Sequence, residues 1–249
     1  MAIMIKTSTE IEKMRASGRI LREVHNAIRP VVRPGATTMD LEAAAAAKIA
    51  ELGVLAAFKG YHGYPAALCT SVNEEVVHGI PNAKRVLKDG DIVSIDCGVI
   101  LDGFYSDAAV TYAVGTATEL TRRLLETTEA SLHAAIQQAR VGGRLGDISA
   151  AVQEICEAEG FGVVRDFVGH GIGRSMHEDP QVPNFGPPGK GPRLKAGMVL
   201  AIEPMINAGK PEVKVLKDGW TAVTVDGSYS AHFEHTVAIT KDGPVVLTL

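Results

Sequence analysis

The sequence predicts an α+β fold in which an antiparallel sheet, duplicated about a pseudo-two-fold axis, is covered by helices. Three observations predict it. A helix, turn, helix, strand order recurs along the chain at one offset, two-residue turn signals separate alternating apolar runs, and 249 residues, 46% apolar and 22% charged, suffice for a sizeable core. The expected organisation is one domain over 1–249, with halves at about 9–113 and 118–240.

The first element is a helix over 9–29. Thr9 with Glu12 has capping-box spacing, Ile11, Met14, Ile20, Leu21, Val24 and Ile28 form an apolar stripe, and Pro30 ends it. A second helix starts at Thr37 or Thr38, runs through LEAAAAAKIAEL and stops at Gly53. The block from Thr118 to Gly160 repeats this layout. His25, Ile28 and Gly35 correspond to His133, Ile136 and Gly143 at a shift of 108, and Asp40, Gly53 and Gly90 to Asp147, Gly160 and Gly197 at a shift of 107. The strands agree as well: GDIVSID (90–96) and GMVLAIE (197–203) each end on a carboxylate. Asp102-Gly103, Asp226-Gly227 and Asp242-Gly243 predict hairpin turns, and 171–196, with five Gly and five Pro, predicts a long ordered loop.

Composition excludes several functions. Twenty-five Lys plus Arg against 29 Asp plus Glu, a net charge of −4, provides no basic excess for nucleic acid. No apolar run approaches the roughly 20 residues of a membrane helix, and the start, MAIMIKTSTEIEKMR, is charged too early for a signal peptide. Cys69, Cys97 and Cys156 form neither a disulfide framework nor a metal knuckle, which predicts a reducing, cytoplasmic setting.

The chemistry gathers on the strands. Asp96 ends an apolar strand, where a charge needs a partner or a metal. With Asp102-Gly103 as the turn, cross-strand partners sum to 205, so Asp107 faces Gly98 and becomes the diagonal neighbour of Asp96. Gly98 is expected to leave that space unfilled. Glu203 occupies in the second half the place of Asp96, and Glu234 in AHFEHTVAI shares a face with His232 and Thr236. His170 sits between glycines in Gly169-His170-Gly171-Ile172-Gly173, and His78 and His177 lie in loops beside the carboxylate strands. His25 and His133, on helices, read as structural. Four carboxylates with one imidazole suit Mn²⁺, Co²⁺ or Fe²⁺, and two ions sharing bridging carboxylates balance the charge better than one.

At this point the chain resembles the type I methionine aminopeptidases of the short bacterial kind, which have the pita-bread fold. The resemblance runs almost end to end. It rests on Gly60-Tyr61-His62-Gly63-Tyr64-Pro65, Asn73-Glu74-Glu75-Val76-Val77-His78-Gly79-Ile80-Pro81, the Asp96 and Asp107 hairpin, Gly169-His170-Gly171-Ile172-Gly173, Met176-His177-Glu178, Ile202-Glu203-Pro204 and Glu234-His235-Thr236. With neither an amino-terminal zinc-finger extension nor the long type II insertion seen in the sequence, the short type I form is the expectation.

The resemblance implies a catalytic domain that removes the amino-terminal Met when the second residue is small. It implies Asp96, Asp107, His170, Glu203 and Glu234 as ligands of two divalent ions (Co, Mn or Fe(II), with Zn or Ni as further candidates), Asp107 and Glu234 bridging. Catalytic roles fall to Glu203 as proton acceptor, His177 on the oxyanion and His78 on the scissile amide. Phe58, Tyr61, His62, Tyr64, Cys69, His78, Met176, His177 and Trp220 are implied to bind substrate. A monovalent cation (Na or K) near Asn73, monomeric state, and nascent-chain amino termini near the ribosome as partners are implied too. Prolidase, creatinase and aminopeptidase P are rivals on the same fold, and a metal-free binding module is a rival of another class.

Overall fold

The computed structural model describes residues 2–249, and Met1 lies outside the described residues. Helix α1 spans Ser8–Ile28 and α2 Thr38–Glu51; α3 spans Glu119–Gln138 and α4 Leu145–Ala158. In chain order the strands are β1 (Leu55–Ala56), β2 (Leu68–Val72), β3 (Glu75–Val77), β4 (Ile92–Leu101) and β5 (Phe104–Ala113). Then come β6 (Gly162–Val163), β7 (Gly169–Gly171), β8 (Glu178–Val182), β9 (Val199–Ile202) and β10 (Met205–Asn207). The last are β11 (Val213–Val215), β12 (Ala222–Thr224), β13 (Ser230–His232), β14 (Glu234–Thr240) and β15 (Gly243–Val246).

A nine-stranded sheet in the order β1-β4-β5-β14-β9-β7-β8, with β2 also on β4 and β15 also on β14, forms the centre. Two three-stranded sheets, β13-β10-β6 and β11-β12-β3, flank it. Each helix pair covers its own strands. One core cluster holds Leu21, Val24 and Leu41 with Val93, Ile95 and Val99, and the other holds Leu124, Leu132 and Ile148 with Leu200, Ile202 and Val237. The main sheet is continuous across the two through only two residue pairs, Glu234↔Ala109 and His235↔Ala108.

The repeat has a geometric counterpart. Asp40 and Asp147 occupy the same capping position of α2 and α4, and isolated bridges Thr37↔Val86 and Arg144↔Arg193 recur at the shift of 107. Gly90 and Gly197 share φ values of 90° and 91°. Gly35 (φ 88°) is matched in conformation by Gly142 (φ 90°), not by Gly143, because the connection there keeps the 107 offset.

Several expectations need correction. Helix α1 is capped by Thr7 with Glu10, two residues earlier than Thr9 with Glu12, since Thr7 has the extended backbone from which its hydroxyl reaches the Glu10 amide. Asp96 lies within β4 and does not end it. The 171–196 segment is not all loop: Glu178–Val182 pairs with β7, with Pro180 inside the strand. Asp226-Gly227 closes no hairpin, because β12 and β13 belong to different sheets and the Asp226 carboxylate instead accepts from the Lys210 and Ser228 amides. Asp102-Gly103 does close a hairpin, in the register Gly98↔Asp107, whereas the β14–β15 turn is Lys241-Asp242, one residue earlier than expected, because Gly243 already pairs with Thr240.

Candidate active site

Strand alternation sends Asp96 and Asp107 to one face of the β4–β5 hairpin, and the short β5–β14 pairing places Glu234 opposite Ala109, next along. Strand β9 delivers Glu203 at its end, and its neighbour β7 delivers His170 opposite Ala201. Ligand atoms of Asp107, His170 and Glu234 lie within 4.8 Å of one another, and all three residues are buried. His170 Nε2 is 3.5 Å from Glu203 Oε1 and 4.0 Å from Asp107 Oδ2. Asp96 and Glu203 stand outside that tightest trio but line the same cavity of about 140 Å³. Gly98 does not leave the space open as expected: Ala57 and Phe58 fill it, and a Cβ there would come within 3.0 Å of each.

The donor set fits divalent cations. Asp96 Oδ1, Asp107 Oδ1 and Glu234 Oε1 are buried oxygens without a hydrogen-bond partner among the described residues, an arrangement costly unless a cation or proton supplies the missing partner. His170 Nδ1 lies 2.9 Å from the Gly171 carbonyl, so Nδ1 carries the proton and Nε2 turns its lone pair toward Asp107 and Glu203. Without cations the carboxylates resist ionisation. Burial pushes Asp96 up to about 7 and Glu203 up to about 8; burial, then the neighbouring carboxylates, holds Asp107 and Glu234 well above the usual carboxylate range. Burial lowers His170 to about 3 and His78 to about 4, so both are neutral near pH 7.

The remaining wall is apolar and aromatic. Phe58, Tyr61, Tyr64, Cys69, His78, Met176, His177 and Trp220 line the cavity. The Tyr64 hydroxyl donates toward the Leu68 and Gly79 carbonyls, which fixes its ring at 5.1 Å, edge-on, from that of Trp220. His62 is not brought to the cavity: it is exposed, with φ 48°, and its ring meets Tyr61 edge-on at 4.4 Å. His25, read as structural, donates from Nε2 to the Ala108 carbonyl behind the carboxylate strands.

Two contacts escaped the sequence reading. His232 is buried, with Nε2 3.6 Å from Glu203 Oε2; its place on the face of Glu234 was the available signal. Tyr61, read only as a wall, places its hydroxyl 2.8 Å from His177 Nδ1, and no local pattern links residues 116 apart.

The profile of metallopeptidase family M24 matches residues 12–241. The chain is 56% identical over 247 residues to the methionine aminopeptidase of Clostridium perfringens, covering 99% of each chain. The crystal structure of a methionine aminopeptidase from Thermotoga maritima superposes with a TM-score of 0.97 at 52% identity over 99% of each chain. A prolidase from Pyrococcus furiosus gives a TM-score of 0.80 at 24% identity, covering 98% of this chain and 65% of that one, and this shows a common fold. Among the described residues no helix is long and apolar enough to cross a membrane.

Proposed function

Because the chain belongs to metallopeptidase family M24, as one of its methionine aminopeptidases, we propose that it removes the amino-terminal methionine of peptides whose second residue is small. One observation carries this reading: four carboxylates and His170 form one side of a cavity whose other walls, Phe58, Tyr64, Cys69, Met176 and Trp220, are the soft and aromatic surfaces that suit a thioether. Asp96, Asp107, His170, Glu203 and Glu234 would hold two divalent ions, with Asp107 and Glu234 shared; Co²⁺, Mn²⁺ and Fe²⁺ lead the candidates, with Zn²⁺ and Ni²⁺ behind them. When bound, such ions polarise the scissile carbonyl and lower the pKa of water.

The chain's own groups do the rest. Glu203 receives the proton of the attacking water, its carboxylate standing in the cluster 3.5 Å from His170 Nε2. His177, held by Tyr61 at Nδ1, presents Nε2–H to the developing oxyanion. His78, neutral and packed edge-on against Phe167 at 5.5 Å, contacts the scissile amide. The aromatic wall excludes water from the Met side chain. A monovalent cation beside Asn73, whose φ is 59°, belongs to the same reading, as do nascent chains near the ribosome as substrates, a cytoplasmic setting and action as a monomer.

The test is mass spectrometry of Met-Ala-Ile, Met-Leu-Ile and an Xaa-Pro peptide after incubation with Mn²⁺- or Co²⁺-loaded protein. The first should lose one residue, and the second should react orders of magnitude more slowly, each ~1.4 kcal/mol of steric cost being tenfold in rate. Equal cleavage of the Met peptides, or preference for Xaa-Pro, would overturn the assignment.

A further inference from the structure

Lys6 is the only lysine or arginine that is buried among the described residues, and it lies in the segment ahead of α1, far in sequence from the cavity. Its backbone N donates to the Gly197 carbonyl at 2.7 Å, which pins the segment to the turn before β9. Its Nζ forms an ion pair with Glu178 Oε2, the two side chains being 7% and 11% exposed. The other oxygen, Oε1, accepts from the Arg174 amide at 2.9 Å and the Ser175 amide at 3.3 Å. One carboxylate thus ties three points of the 173–178 turn to the amino-terminal segment. The packing is tight: a Cβ on Gly173 would lie 2.5 Å from Lys6 Cε and 2.7 Å from Glu178 Oε1.

That turn carries Met176 and His177 into the cavity. His177 immediately precedes Glu178, and its ring centroid stands 4.2 Å from that of His170. A buried ion pair contributes little net stability over an apolar pair of the same shape, but its fixed bonds define one position for what they hold. Chemistry is sensitive to that position, since a misplacement of about 1 Å can cost roughly 10²-fold in rate. We propose that Lys6, through Glu178, is a positioning residue that locks the turn bearing Met176 and His177 against the cavity. The consequence for catalysis rests on the function proposed above; the locking itself does not.

Trp220, the single tryptophan, packs in the same apolar cluster as Met176 and reports on the wall without any reaction. The experiment compares wild type, Lys6→Met, Glu178→Gln and the double variant in thermal stability, acrylamide quenching of Trp220 in metal-free protein, and turnover of Met-Ala-Ile by metal-loaded protein. Lys6→Met should lower the Tm, because Glu178 is left buried and unpaired, raise the quenching constant roughly twofold as the wall loosens, and cut turnover about tenfold or more at unchanged metal content. The double variant, free of the unpaired charge, should regain the Tm but neither the quenching nor the rate. Wild-type quenching in the folded single variants, or a double variant whose quenching and turnover return with its Tm, would overturn the proposal. Should Lys6→Met fail to fold, the double variant decides by the same two readouts. A wild type that does not cleave Met-Ala-Ile would refute the function alone, because the quenching comparison still decides the lock.

Discussion

The Tyr61 hydroxyl and His177 Nδ1 are 2.8 Å apart, so the phenol orients the one imidazole that stands exposed at the mouth of the cavity. With Nδ1 accepting, His177 keeps its proton on Nε2, the tautomer an oxyanion contact requires. Tyr61→Phe should therefore lower kcat by roughly fivefold, the worth of about 1 kcal/mol for one hydrogen bond, while KM and metal content change little. An unchanged kcat would show that packing alone sets the ring.

Asp107→Asn should abolish cleavage and leave the fold in place. Asp107 is 3% exposed and central to the carboxylate cluster, so the change removes the anionic ligand proposed to be shared while keeping a side chain of nearly the same shape. Circular dichroism and metal analysis alongside the assay check this; full turnover with unchanged stoichiometry would refute the site.

Stability of the metal-free protein should fall as pH rises. The folded carboxyls of Asp96 and Glu203 titrate at about 7 and about 8, above their unfolded values of 3.8 and 4.5, so the folded state binds more protons across that window. Their stabilising protonation is complete below about pH 4 and lost by about pH 8, at on the order of 1.4 kcal/mol per pH unit for each group titrating. Neutral buried histidines oppose this on the acid side, where they must charge, so the decline is clearest between pH 6 and 8, a window taken roughly from the unperturbed imidazole and the carboxyl values above. Thermal melts across pH, with and without Mn²⁺, measure it. Saturating metal should remove the decline, and a metal-free Tm that rises over the same range contradicts the assignment.

His78→Ala should depress turnover by roughly 10²- to 10⁴-fold while metal binding persists, because the role proposed for it is contact with the amide and not ligation. Calorimetric titration with Mn²⁺ distinguishes the two, and collapse of binding would move His78 into the ligand set.

Much of this was readable from residues. The β4–β5 register followed from Asp102-Gly103 alone, because a two-residue turn with φ of 50° and 75° leaves one pairing available. The helix pairs and their repeat were equally visible, since caps and apolar stripes are local. What could not be read depended on distant pairing. Nothing near Glu234 states that it will sit opposite Ala109, and nothing near Lys6 names Glu178. The Glu178–Val182 strand was hidden by Pro180, which as a sequence signal argues against a strand.

The two-pair junction between β5 and β14 also sets an order in time. Thr236 Oγ1 donates to the Asp107 carbonyl and accepts from the Asp107 amide across 129 residues of chain, and each such closure carries an entropic cost that helix formation does not. Helices α1 to α4 can form from local contacts while the carboxylates are still far apart. Chemical competence is therefore expected late on the way to the native state: during refolding, far-UV ellipticity should return ahead of peptide cleavage, and a cation that binds only the assembled cluster would capture the final closure.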